Sequence, residues 1–278
     1  MAERDRAPRE RLKPKCCVWG SGRFGTAMAI VAARNGSEVC ILTRRREVAD
    51  GINANHRNPS HLTDTTLPES VSATTDAPTA LANVSIIVHC IPVQGSETFL
   101  GETQSLLSSI PRGCRIVCCS KGIETCNLEF MHQLLPRIMS KQLGLSLRRL
   151  GIEIAVLSGP TFAEQLALSQ PSGVVIAART HSLARECASY FASSQMRVYP
   201  STDIVGVEAC GALKNVYALL AGGVEALDMH ENTISLLTTR AGKEIARLAV
   251  AMGGKEHTMA SVAGMGDLWL TTLGGSSR

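Results

Sequence analysis

Lys214 is a cation in apolar company. Turning about 100° per residue from it along a helix over residues 203–222 brings Val207, Cys210, Gly211, Ala218 and Ala221 onto its face. All five are small or apolar, while Glu208 falls on another side. Lysine is rarely buried without a partner, and desolvation lowers its pKa toward the range useful for proton transfer. The same pattern also fits a snorkelling lysine whose stem covers the core while its ammonium reaches water. Asn215, beside it, could hydrogen-bond a substrate.

Three more polar groups sit where chemistry could use them. Ser120-Lys121-Gly122 directly follows the apolar run Arg115–Cys119, and Ser158-Gly159-Pro160-Thr161-Phe162-Ala163 follows Ile154–Leu157. Both stand at the carboxyl edge of a sheet, where ligands bind in open α/β folds, and Gly159 and Thr161 could present polar groups to an anion. Each also fits an ordinary strand-to-helix turn. Gly264-Met265-Gly266-Asp267-Leu268 and Thr271-Thr272 supply one carboxylate and hydroxyls after an apolar stretch. Asp267 there is either a site carboxylate or only a helix cap.

Gly20-Ser21-Gly22-Arg23-Phe24-Gly25 follows a strand signal and opens a helix signal, the context in which GxGxxG binds a dinucleotide. Gly20 permits the tight turn, Gly22 lets backbone approach a pyrophosphate, and Gly25 lets helix and strand pack closely. Free N–H groups and the positive dipole end of the helix then face the anion. An acidic residue after the second strand would bind the adenosine ribose, but this chain has Thr43-Arg44-Arg45-Arg46. Guanidinium groups suit a 2′-phosphate, with Arg44 nearest the strand end and Arg45 next, so either NAD or NADP fits as cofactor.

These groups need a scaffold that brings strand ends together. Cys16–Trp19, Glu38–Leu42, Val84–Ile91, Arg115–Cys119, Ile154–Leu157 and Gly173–Ala178 read as strands, and Gly25–Asn35 as a small-residue helix. Strand, crossover and strand at this spacing predict an α/β domain over 15–198, a Rossmann-type mainly parallel sheet with helices on both faces. Near residues 195–202 the pattern changes. Residues 203–222 and Thr233–Met252 read as long helices of an all-α domain over 199–278.

Composition narrows the class. The chain has 278 residues, 45% hydrophobic and 19% charged, which allows one large or two ordinary domains and excludes disorder. Aromatics at 4% argue against a stacking groove for single-stranded nucleic acid. Six of the first fifteen residues are basic against three acidic, which accounts for most of the net charge of +4. Residues 1–14 therefore read as a disordered basic tail, and the rest carries no nucleic-acid footprint. No apolar signal core follows the tail and no apolar run reaches a membrane span, so a cytoplasmic chain is expected. The ten cysteines include the adjacent pairs Cys16–Cys17 and Cys118–Cys119 inside apolar runs, with no CxxC spacing. They read as buried reduced thiols, and no metal site is expected.

Together the motifs resemble those of the bacterial-type NAD(P)-dependent glycerol-3-phosphate dehydrogenases. The resemblance runs from about Lys15 to Arg278 through GSGRFGTA, INANHRNPSHL…LP, CSKGIE, LSGPTFAEQLA, VEACGALKNVYAL and AGMGDLWLT…SR. It implies that Arg23, Phe24 and Arg44 contact the dinucleotide, that Ala163 lies near it, and that Lys121 approaches cofactor and substrate. It places Gly159, Thr161, Asp267, Ser277 and Arg278 on the substrate side, with Arg278 suited to the phosphate and reaching the cofactor. Asn215 and Thr271 join that side from their neighbourhood.

Lys214 matches the family's proton donor and acceptor. The implied reaction is reversible hydride transfer between NAD(P)H and dihydroxyacetone phosphate, giving sn-glycerol 3-phosphate, with Lys121 polarising the carbonyl and Asp267 holding the network. Gln165 stands where the family often has an acidic residue. The family motif also continues past Arg278 with an asparagine and further helices, so a truncated helical domain with exposed apolar surface is expected. A dinucleotide-binding protein without turnover and a β-hydroxy acid or ketopantoate-type dehydrogenase are the rival readings. A homodimer stays open as the protein partner.

Overall fold

Apolar runs without polar alternation belong in a sheet covered on both faces, and a sheet of that kind forms the centre of this protein. The computed structural model describes residues 15–101, 104–229 and 231–273. The tail over 1–14 and the candidates Ser277 and Arg278 lie outside the described residues.

The described residues begin with β1 (Lys15–Trp19), α1 (Arg23–Arg34), β2 (Glu38–Leu42), α2 (Arg46–Asn55), β3 (Val71–Thr74) and α3 (Ala77–Leu81). It continues through β4 (Ile86–His89), α4 (Ser96–Gly101), α5 (Gln104–Ser108), β5 (Arg115–Cys118), α6 (Met131–Leu143) and α7 (Leu147–Leu150). Then come β6 (Glu153–Ser158), α8 (Ala163–Ala167), β7 (Ser172–Ala178), α9 (His181–Ala188) and β8 (Met196–Ser201). The strands form one eight-stranded sheet among the described residues, ordered β3-β2-β1-β4-β5-β6-β7-β8. It is parallel throughout except where β6 meets β7.

Period-two alternation decides which core each strand residue feeds. Cys16 and Val18 of β1 pack into the layer of α1, α2, α8 and α9. Cys17 and Trp19 pack into the opposite layer with α3 through α7. The remaining described residues hold only helical elements, the longest being α10 (Ile204–Ala226), α11 (Glu231–Ala251) and α12 (Asp267–Leu273). α10 lies against α11 and α12 on one side and against β6 and β7 on the other. Asp203 fixes its start, accepting hydrogen bonds from the backbone N–H of Gly206 (3.0 Å) and of Lys255 (2.9 Å).

Two strands fall outside the runs legible in the sequence. β3 is four residues long and half-polar on the sheet edge. β8 carries Pro200, which an edge strand tolerates because one side of its ladder is open. Residues 199–201 thus belong to the sheet rather than to the helical part. α10 is long and apolar enough to cross a bilayer by length and composition alone, against the reading that no run reaches that size. Half of its most apolar window is buried in the protein, as in a core helix. Cys126 is exposed, unlike Cys16, Cys17, Cys118 and Cys119, which are buried.

Val216, Leu219 and Leu220 leave α10 with an exposed apolar face opposite the buried face that carries Lys214.

Candidate active site

The sheet order reverses between β1 and β4, the position at which open α/β sheets leave a crevice beyond their carboxyl ends. Gly20 turns the chain with φ +101°, and a Cβ on Gly25 would lie 2.0 Å from the Gly20 carbonyl oxygen. α1 can therefore begin directly beneath the turn. Gly22 caps α1, and the space where its side chain would be is open to 4 Å. The loop is braced from below: Asn58 Nδ2 donates to the Ser21 carbonyl (2.9 Å) and to Thr26 Oγ1 (2.8 Å), and Ser21 Oγ meets Thr43 Oγ1 at 2.8 Å.

Gly20 through Gly25, Thr43 through Arg45 and Cys90 through Pro92 line a cavity of about 350 Å³. An open cradle over Gly22, backed by a helix start and flanked by two guanidinium side chains, fits the pyrophosphate and ribose of a dinucleotide. Phe24, Arg44 and Arg45 are at this cavity, Arg45 also lying 3.8 Å from Glu47, while Arg46 does not line it and pairs with Asp50 at 3.8 Å. Arg23 stands between it and a second cavity of about 400 Å³, and its guanidinium is held by Glu164 at 2.9 Å. Glu164 thus supplies an acidic contact next to Gln165, which is itself exposed. Ala163 is buried in the core layer of α1 and α8 and does not line the cavity.

A second cluster gathers where β5, β6, α10 and α12 meet. Lys214 is 8% exposed, and its Nζ donates to Asp267 Oδ1 (2.7 Å) and Thr271 Oγ1 (2.6 Å). Asp267 is 1% exposed, and its Oδ2 accepts from Lys121 Nζ (2.5 Å) and from Ser158 Oγ (3.4 Å). Lys121 also donates to the Gly159 carbonyl at 3.1 Å, which Thr161 Oγ1 reaches at 3.3 Å. One carboxylate therefore sits between two ammonium groups.

Burial pushes the Lys214 pKa below the ordinary lysine value, and the Lys121 charge pushes the same way against the pull of Asp267. Gly211 allows the approach: a Cβ there would lie 2.9 Å from Ser158 Oγ and 3.4 Å from Lys121 Cγ. A π turn, Val262–Gly266, leads directly into Asp267. Asp267 begins α12, yet its carboxylate is spent on the two lysines, so it is more than a cap. Asn215 is exposed, and Glu208 pairs with His132 rather than with either lysine.

Comparison with known proteins gives this arrangement its relatives. A model described as NAD-dependent glycerol-3-phosphate dehydrogenase N-terminus matches residues 15–184, and its C-terminal counterpart matches 203–278. The chain belongs to the NAD-dependent glycerol-3-phosphate dehydrogenase family. This is a family of NAD(P)-dependent oxidoreductases that use NAD or NADP. Glycerol-3-phosphate dehydrogenase [NAD(P)+] of Myxococcus xanthus is 40% identical over 261 residues, covering 94% of this chain and 75% of that protein.

The chloroplastic glycerol-3-phosphate dehydrogenase [NAD(+)] 2 of Arabidopsis thaliana is 37% identical, and the chain spans 95% of itself and 61% of that protein's length. A crystal structure of glycerol-3-phosphate dehydrogenase from Coxiella burnetii superposes with a TM-score of 0.83 at 29% identity, covering 96% of this chain and 78% of that one.

Lys214, Lys121 and Asp267, three of the candidates legible by residue type, meet in the structure. Four further positions border these groups: Asn58 under the glycine loop, Ser158 on Asp267, Gly211 against Lys121 and His89 beside Ser120. Asn58 sits in the INANHRNPSHL stretch, where its Oδ1 accepts from the backbone N–H of Ser60 and His61, and Ser158 is the last residue of β6. Gly211 and His89 gave no signal, because a helical glycine and a buried strand histidine have bland meanings in sequence.

Proposed function

We propose that the chain catalyses reversible reduction of dihydroxyacetone phosphate to sn-glycerol 3-phosphate with NADH or NADPH. When bound, the nicotinamide supplies the hydride to C2 in reduction and takes it back in oxidation. Gly20 through Gly25 hold the pyrophosphate, and Arg44 with Arg45 hold the far ribose and any 2′-phosphate. Lys214 Nζ delivers a proton to the C2 oxygen as the alkoxide develops and retrieves it in the reverse direction. Its lowered pKa makes that transfer easier near neutral pH than for an exposed lysine. Lys121 adds positive charge near the carbonyl oxygen, and Asp267 with Thr271 fixes the direction of the Lys214 amine.

Gly159 and Thr161 border the Lys121 end, where the substrate would lie. The reading extends to a cytoplasmic setting, supported by the buried thiols of Cys16, Cys17, Cys118 and Cys119.

One observation carries this conclusion: a carboxylate with 1% exposure joins two lysines beside the crevice of a dinucleotide-binding sheet. The experiment is steady-state oxidation of NADH and NADPH with dihydroxyacetone phosphate and, separately, with dihydroxyacetone. Turnover with the phosphorylated ketone and little with the other is expected. Equal rates on both, or none on either, would remove the proposal.

A further inference from the structure

His89 ends β4 with no exposed surface, and nothing in the reaction above uses it. Strand register sets it beside Trp19 of β1 and Cys118 of β5. The three residues that follow it, Cys90, Ile91 and Pro92, form a wall of the cofactor cavity. Ser120 adjoins Lys121 at the exit of β5. The imidazole lies between these two loops, with Nδ1 3.3 Å from Ser120 Oγ and Nε2 3.3 Å from Ser96 Oγ.

Each serine also faces a backbone carbonyl: Ser120 donates to Ile91 O, and Ser96 reaches Pro92 O at 3.1 Å. Burial lowers the imidazole pKa to about 4, so the ring is neutral near pH 7 and carries one N–H. Three protons then serve four contacts. Both serines are placed to donate to their carbonyls, Ser120 to Ile91 O and Ser96 to Pro92 O, so the choice of tautomer turns on which serine gives its proton to the ring. With Ser120 bound to Ile91 O, the ring proton falls on Nδ1 and donates to Ser120 Oγ while Nε2 accepts from Ser96; the opposite tautomer reverses both bonds, and substitution by asparagine or by glutamine tells the two apart.

We propose that His89 is a positioning residue whose Nδ1–H orients Ser120 Oγ, fastening the Ile91 carbonyl and locking the cofactor wall to the loop that carries Lys121. This rests on the reading of the cavity and Lys121 as parts of one active site. Asparagine places its amide nitrogen near the Nδ1 position, glutamine near Nε2, and leucine offers neither. The test measures NADPH affinity by fluorescence titration and kcat with dihydroxyacetone phosphate for His89→Leu, His89→Asn, His89→Gln and Ser120→Ala, each checked for cooperative thermal unfolding.

His89→Leu and Ser120→Ala should each weaken NADPH binding about tenfold, the scale of one buried hydrogen bond left unpaired, and lower kcat. Their double variant should be no worse than either, and His89→Asn should recover most of the loss while His89→Gln does not. A folded His89→Leu protein with unchanged affinity and kcat overturns the proposal. So does equal recovery by asparagine and glutamine. If His89→Leu does not fold, Ser120→Ala and the asparagine–glutamine pair still decide it. Failure of the wider reading would show differently, as wild-type protein that binds NADPH but leaves dihydroxyacetone phosphate unreduced.

Discussion

Replacing Asp267 by asparagine keeps the shape of a buried side chain and removes its charge from between two ammonium groups. Its oxygens lie 2.7 Å from Lys214 Nζ and 2.5 Å from Lys121 Nζ. Breaking a buried ion pair from one side costs roughly 3–5 kcal/mol, because the remaining charge is left uncompensated. The Lys121 side chain is 20% exposed and can turn toward water, which places Asp267→Asn near the lower end, about 3 kcal/mol. Lys214 has no such exit, so the loss falls on its ammonium and favours its neutral form.

With Asp267 gone, the influence that raises the Lys214 pKa disappears, and burial and Lys121 both continue to lower it. An amine neutral in the folded protein and protonated in the unfolded chain makes stability rise with pH. That window runs from the depressed folded value up to the ordinary lysine value of 10.5, and the penalty is complete below it. Lys214→Met leaves the Lys121–Asp267 pair balanced and should cost less. Urea unfolding at pH 7 and pH 9 reads both quantities. Wild-type stability and pH slope in Asp267→Asn, or a larger loss in Lys214→Met, would refute the electrostatic account of the cluster.

Gly25→Ala puts a Cβ 2.0 Å from the Gly20 carbonyl and should abolish measurable NADH and NADPH binding in a fluorescence titration. Arg44→Ala should weaken NADPH binding roughly tenfold or more while leaving NADH little changed, the cost of losing a charge-assisted bond to the 2′-phosphate. His89 titrates at about 4 when folded and at 6.5 when free, so its contribution is lost as pH falls from 6.5 toward 4. That difference corresponds to about 3 kcal/mol, and unfolding curves at pH 7 and pH 4 should show His89→Asn losing less than wild type by this order. For reduction, kcat should fall as pH rises through the depressed Lys214 value, since the donor must be protonated. For oxidation it should rise over the same interval.

The glycine loop was legible because each glycine answers a local backbone demand that sequence spacing records. Lys214 was legible because a charge on an apolar helix face conflicts with burial unless something compensates it. The compensating group was harder to find: Asp267 is 53 residues away, and its position at a helix start has a sufficient local explanation as a cap. Pairing across such distances is decided by how α10 and α12 meet the ends of β5 and β6, which no local pattern encodes.

Asn215 shows the converse, a polar neighbour of Lys214 that helical rotation carries to the exposed side. β3 and β8 escaped notice because edge strands need only one apolar neighbour and tolerate Thr, Arg and Pro. Ala163 is buried because it opens α8, which packs against α1.

The most direct test of the central claim is the kcat of Lys214→Ala for NADPH oxidation with dihydroxyacetone phosphate, alongside its NADPH affinity. Removing the proton donor should lower kcat by about 100-fold to 10,000-fold and leave cofactor affinity close to wild type. Turnover at the wild-type rate in that variant would contradict the assignment of Lys214 as the group that moves the proton.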